Sequence, residues 1–315
     1  MPNSFSPVQT WHQAVPVKAR IMALRPLELL KLTGLMELTA GSPAVKIGLI
    51  DGPVLTQHRH LATEHVREIS GTNSGACTQM TSVACLHGTF VAGILSAKRN
   101  SPAPAICPNC TLLIRPIFVE KTACSEQMPN ATPKELAAAI IECIDEGARV
   151  INLSVALAQP STKTEGILEE ALNQAFKRGA IVAAAAGNQG TLGSSAITRH
   201  PSVIPVVACD LRGRPMNESN LGSSIGRRGL TAPGDGITSL GPKDQALTLG
   251  GTSVAVPFVT GAIALLWSEF PYETAAQVKL AVTESSARRR ATVIPPLLDA
   301  AAAHRILRHA SRRKS

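Results

Sequence analysis

Four polar residues, far apart in the chain, each adjoin a run of apolar ones. Asp51 follows AVKIGLI, His87 precedes GTFVAGILSA, Asn188 follows AIVAAAAG and Ser253 precedes VAVPFVTGAIALLW. Their types suit acyl transfer. A serine hydroxyl is a poor nucleophile until an imidazole takes its proton, and the imidazole needs a carboxylate to fix its tautomer and stabilise its cation. The tetrahedral intermediate then needs donors aimed at its oxyanion, which an asparagine amide and a helix-start N–H can supply. Asp51, His87, Asn188 and Ser253 fill those roles. Taken singly, each has a plainer reading: a turn or cap for Asp51, a structural imidazole for His87, a Gly-Asn turn for Asn188, an N-cap for Ser253. Only a fold that gathers them makes a site.

The elements needed for that gathering are legible. AVKIGLID (44–51), TLLIRPIFV (111–119), RVINLSVA (149–156), GAIVAAAAGN (179–188) and SVIPVVACD (202–210) are short, mostly apolar runs without alternation, the pattern of strands buried on both faces. Helical segments fall between them. Thr132, Pro133 and Glu135 supply a cap, a first-position proline and a capping-box acid ahead of Leu136, Ile140, Ile141 and Ile144, and Gly147 closes the segment. Leu168, Leu172 and Phe176 mark a second helix, ended by Gly179. Ile21, Leu24, Leu27, Leu30 and Leu35 mark a helical lead-in broken by Pro26. Strand–helix alternation implies right-handed crossovers and a mostly parallel sheet, with ligands beyond the C-terminal strand ends. His87 is expected at the entrance of its helix. Val254–Trp267 reads as a core helix, too short for a membrane span and too uniformly apolar for a surface, with Pro257 in its first turn.

Composition narrows the classes. A chain of 315 residues, 44% hydrophobic, can bury one large core, and a 3% aromatic content does not suit a stacking platform for nucleic acid. The formal charge is +9, but eight of the positive residues follow residue 287, where Asp299 is the single acid, so the basicity reads as a solvated end. No nucleic-acid site and no membrane span are expected. The opening MPNSFSPVQTWHQAVPVK lacks the parts of a secretory signal; a cytoplasmic location is expected, with secretion left open. Cys77, Cys85, Cys107, Cys110 and Cys124 crowd together, but only Cys107 and Cys110 form a close pair, so zinc is disfavoured and reduced thiols or a local disulfide are expected. His58, His60 and His65 lack helical spacing and a fourth ligand, and read as a loop. GDGITSLG around Asp235 reads as a turn before a short hairpin.

The order Asp, His, Ser, carried by GLIDG, HGTFVAGI, AAGN and GTSVAVPFVTGAIALL, resembles the subtilisin-like serine peptidases over about residues 44 to 268. PPLLDAAAAHRIL resembles that family's final helix. DGPV after the aspartate, CTLLIRPIF and CDLRGRPMNESNLG are similar to a narrower branch that matures cyanobactin and related ribosomal peptides. The resemblance implies an α/β, three-layer fold with a mostly parallel central sheet and helices on both faces. It divides the chain into a partly helical lead-in (1–43), a peptidase domain (44–285) and a basic C-terminal segment with a final helix (286–315). It also implies a serine endopeptidase working through an acyl-enzyme, with Asp51, His87 and Ser253 catalytic, Asn188 in the oxyanion hole, and a peptide or unfolded segment bound as an added strand. Ser154, Val155 and Ala156 would form one wall of the groove and Ala185, Ala186 and Gly187 the other. Ala156 and Leu157 stand where many members have two glycines, so the first pocket is expected to differ. No metal or cofactor is expected: no carboxylate-rich loop offers a calcium site. The branch implies removal of a leader from a precursor peptide. Two alternatives are a transamidating macrocyclase, disfavoured because residues 52–86 show no clear pair of helices, and an inert peptide-binding pseudo-peptidase.

Overall fold

The computed structural model describes residues 25–69, 77–118, 120, 131–155, 165–285 and 292–313. Residues 25–29 are helical and are followed by α1 (Thr33–Leu38). The break between them lies at Lys31, whose φ is +54°, and not at Pro26. A proline in a first turn removes an N–H that has no helical acceptor anyway, so it does not interrupt the helix. The upstream part of the expected lead-in, residues 17–24, lies outside the described residues.

From there strands and helices alternate. The strands β1 (Lys46–Asp51), β2 (Val66–Glu68), β3 (Thr111–Pro116), β4 (Val150–Leu153), β5 (Ile181–Ala185), β6 (Val203–Cys209) and β7 (Leu230–Pro233) form one sheet in the order β2-β3-β1-β4-β5-β6-β7. Every pairing in it is parallel. The five expected strands are its centre; β2 and β7 are short edge strands that hydropathy did not mark. A separate antiparallel hairpin, β8 (Ile237–Leu240) with β9 (Ala246–Leu249), follows the Asp235 turn.

Helices cover both faces, giving three layers. The helices are α2 (Val83–Ser96), α3 (Pro133–Asp145), α4 (Gly166–Lys177), α5 (Ala196–Arg199), α6 (Ser223–Arg228), α7 (Thr252–Glu269), α8 (Ala275–Glu284) and α9 (Ala300–Arg312). Strand alternation divides the core between the faces. Ile47, Leu49, Val150, Ile181 and Ala183 point to α2 and α7, while Ile50, Ile151, Leu153, Val182 and Ala184 point to α3 and α4. The capping box of Thr132 and Glu135 starts α3 as its sequence demands. In α4 the buried stripe is Leu168, Ala171, Leu172 and Ala175, and Phe176 is exposed. A strict four-residue repeat runs ahead of the 3.6-residue turn, so by the third member it has left the buried face.

Two helix boundaries differ from the sequence reading. The α2 helix starts four residues before His87, because the Ser82 hydroxyl accepts from the Cys85 N–H at 3.2 Å and caps it. His87 therefore stands in the second turn. The α7 helix runs for 18 residues, with mean hydropathy 1.3, so by length and composition alone it could cross a membrane; 89% of it is buried inside the protein. Pro257 is its sixth residue, inside the helix and beyond the first turn. At the C-terminal end α9 docks through buried Ala300, Ala303 and Leu307, and the Ala300 N–H donates to Leu30 O at 3.0 Å, while Arg305, Arg308 and Arg312 face solvent.

Candidate active site

Strand β1 ends at Asp51 and pairs with β3 as far as Asp51–Pro116, so the carboxylate sits at the C-terminal edge of the sheet. The entrances of α2 and α7 reach the same edge. There the imidazole of His87 bridges Asp51 and Ser253: Nδ1 lies 2.7 Å from Asp51 Oδ1, and Nε2 lies 2.9 Å from Ser253 Oγ. Both are ordinary hydrogen-bond lengths. Asp51 is fully buried, His87 is 1% exposed and Ser253 7%, so the serine is the least buried of the three. Ser253 caps nothing; the N-cap of α7 is Gly251, and the serine is the second residue of the helix.

The closeness of Asp51 and His87 depends on two glycines. A Cβ on Gly52 would lie 2.0 Å from Ala84 O, and one on Gly88 would lie 2.4 Å from Gly52 O. Backbone touches backbone where the strand end meets the helix. Gly52 also donates its N–H to Asp51 Oδ1 at 2.6 Å, which fixes the carboxylate in plane. Asp51 Oδ2 is buried without a hydrogen-bond partner among the described residues.

Asn188 is held by α7. Its Oδ1 accepts from the Thr252 N–H at 2.8 Å and the Thr252 hydroxyl at 2.9 Å. Because Thr252 N can only donate, the amide oxygen must face it, which turns Nδ2 outward as a donor. The Ser253 N–H belongs to the first turn, whose N–H groups have no acceptor within the helix and carry its positive end. Gly251 makes the approach feasible: its φ is +128°, and its Cα faces the Asn188 amide at a distance where a Cβ would lie 3.0 Å from Nδ2.

The two proposed groove walls occupy the ends of β4 and β5. Their ladder stops at Leu153–Ala184, so 154–155 and 185–187 continue past it as separate segments. Their side chains are largely turned inward. Ala185 belongs to the core beneath α7, Val155 packs with the opposite core, and Gly187 donates to the Thr252 hydroxyl at 3.2 Å. Ala156 lies outside the described residues. Ser154 has a role that spacing did not reveal. Its hydroxyl donates to the Ser253 carbonyl at 3.3 Å, the acceptor that residue 257 would bond in a regular helix and that Pro257, without an N–H, leaves open. Ser154 in turn accepts from Asn152 Nδ2 at 2.7 Å, and Asn152 Oδ1 accepts from the Thr260 hydroxyl at 2.9 Å. This buried relay ties β4 to the nucleophile helix. Its sequence signal was present: Asn152 and Ser154 are two polar residues at strand period inside an apolar run.

Cys77 and Cys85 form a disulfide that joins the loop before α2 to its first turn, which settles the choice between thiol and disulfide for that pair. Their sulfurs lie close to a Glu120 carboxylate oxygen, but sulfurs joined to one another are not thiolate ligands. Cys107, Cys110, Cys143 and Cys209 are buried free thiols, and Cys124 lies outside the described residues. His58 is buried, His60 and His65 are more open, and among the described residues none of the three is hydrogen-bonded to the Ser253 site.

The model described as Subtilase family (Peptidase S8) matches residues 42–305. Subtilisin DY of Bacillus licheniformis is 30% identical over 240 residues, covering 75% of this chain and 81% of its own. Thermitase of Thermoactinomyces vulgaris is 29% identical over 74% of this chain and 78% of its own. Among solved structures, the protease domain of PatA has a TM-score of 0.78 at 28% identity, covering 86% of this chain and 97% of that one. The prenylagaramide maturation protease PagA has a TM-score of 0.76 at 26% identity, covering 88% and 98%. The PatG macrocyclase, solved with a peptide, shares the fold, with a TM-score of 0.75 at 21% identity, covering 88% of this chain and 95% of that one.

Proposed function

Because the chain belongs to the subtilase family and is a subtilisin-like serine protease, we propose that it cuts a precursor peptide, releasing a leader, through an acyl-enzyme formed on Ser253. One observation carries this reading: a single imidazole hydrogen-bonded to a fully buried carboxylate on one side and to the Ser253 hydroxyl on the other, at 2.7 and 2.9 Å. The His87 Nε2 atom takes the proton as Ser253 Oγ attacks the scissile carbonyl. Asp51 accepts the Nδ1–H bond and stabilises the imidazolium. Asn188 Nδ2 and the Ser253 N–H donate to the oxyanion. The imidazolium then protonates the leaving amine, and a water deacylates the serine by the same route in reverse. The substrate lies as an added strand between the ends of β4 and β5, held mainly by backbone bonds, which suits walls whose side chains are turned inward.

A maturation role is supported by the likeness to PatA and PagA, both above 25% identity over most of the chain. Hydrolysis is favoured over ring closure because, between β1 and α2, the described residues hold one short 3₁₀ turn and the strand β2. The test is labelling with a fluorophosphonate, followed by mass spectrometry of peptide products. Labelling of the wild type and not of Ser253→Ala, with fragments that together gain one water, is expected. A folded wild type that resists the label would replace this reading with an inert binding module, and a ring product without added water would replace it with transamidation.

A further inference from the structure

A cavity of about 120 Å³ is lined by Asn188, the side-chain oxyanion donor, but by none of Ser154, Val155, Ala185, Ala186 or Gly187. It includes Gly250 and Gly251, the two residues that lead into α7. A substrate carbonyl whose oxygen meets Asn188 Nδ2 has its acyl part on one side and its leaving amine on the other. With the acyl part between the ends of β4 and β5, the leaving part would pass over Gly250–Gly251, which line this cavity, and its first side chain would face it.

The chemistry of the lining is specific. Met216 and buried Leu249 give it an apolar wall, and exposed Glu218 and Asp235 give it two carboxylates. Among the described residues, no lysine or arginine lines it. Among the described residues, neither carboxylate is in an ion pair; Arg214, two residues before Met216, is bonded to Asp210 at 2.7 Å. A lysine or arginine can lay its methylene stem on apolar surface while its charged head reaches an acid. A short side chain would leave the space unfilled, and an acidic one would meet like charge.

We propose that this cavity is a subsite for a cationic side chain, so that the enzyme favours lysine or arginine immediately after the bond it cuts. This deepens the peptidase reading and rests on it. Exposed ion pairs are individually weak, so the two carboxylates together give about a 3- to 10-fold preference at low salt. That preference shrinks at ~0.5 M salt as screening shortens.

The test uses peptides identical except at the first leaving-side residue: lysine, the uncharged norleucine of similar length, or glutamate. Their kcat/KM values are compared on the wild type, and their affinities on Ser253→Ala, which binds without cutting. Lysine is expected best and glutamate worst in both, with the lysine-to-norleucine ratio falling towards one in Glu218→Gln/Asp235→Asn. Equal binding of lysine and norleucine peptides to Ser253→Ala, or a ratio unmoved by the double substitution, would overturn the subsite. A lysine preference in binding with no cleavage of any peptide would instead sink the peptidase reading and leave the subsite standing.

Discussion

Replacing Ser154 by alanine should show that the nucleophile is held from β4. The substitution removes the donor to the Ser253 carbonyl, 3.3 Å away, and the acceptor of the Asn152 amide, 2.7 Å away. A buried polar group left unpaired costs about 1–3 kcal/mol. The first of these bonds is long, so it should contribute near the lower limit, and the two losses together should destabilise the protein by about 2 kcal/mol in urea unfolding. Part of that loss should reach the reaction as misplacement of Ser253 Oγ. A tenfold fall in kcat corresponds to about 1.4 kcal/mol, and a fall of about that size is expected, with KM changing less. The decisive arm is Pro257→Ala. It returns an N–H that can donate to Ser253 O from within the helix, so the same serine change made on that background should cost less. Proline also disfavours a helix interior by ~3 kcal/mol, so the comparison must use the coupling between the two changes and not the double variant alone. A coupling of about 1 kcal/mol, in stability and in kcat, is expected. Strictly additive effects in both would refute the argument that Ser154 stands in for the donor missing at residue 257.

Other consequences can be measured independently. Ser253→Ala and His87→Ala should each lower turnover roughly 10⁶-fold, the size known for the equivalent residues of subtilisin, and Asp51→Ala should cost less. Asn188→Ala should lower kcat about 10²- to 10³-fold with little change in KM, as loss of one oxyanion donor does. Gly88→Ala forces a methyl to within 2.4 Å of Gly52 O, so unfolding at about 1–3 kcal/mol lower stability and a weakened His87–Asp51 contact are expected. Reduction of Cys77–Cys85, eight residues apart, should cost about 2.5 kcal/mol by loop entropy, read as a lower Tm in reductant and absent from Cys77→Ser/Cys85→Ser. Burial holds the His58 imidazole below its usual range, against Asp244, which raises it; His60 lowers it further, the Gly241 backbone raises it and Arg59 lowers it. A depressed folded value means that stability present above about pH 6.5 is lost as pH falls through the folded value, because the unfolded chain takes the proton first. His58→Asn should therefore flatten the fall in Tm between neutral and mildly acidic pH.

The central strands, the capped helix α3, the uniformly apolar helix after Ser253 and the candidates Asp51, His87, Asn188 and Ser253 are legible in the chain, because hydropathy period, caps and functional-group chemistry are local properties. Tertiary structure decided what those residues do to one another. The approach of β1 to α2 depends on a Cβ absent at Gly52 and Gly88, and nothing in either local window says which backbone will arrive there. The orientation of Asn188 is set by Thr252, and the support of the Ser253 carbonyl by Ser154, across 64 and 99 residues of chain. The acidic cavity likewise exists only where Glu218, Asp235 and Gly250 converge. A hydrogen bond or a void between distant segments is a property of their packing, and periodicity along one segment carries no record of it.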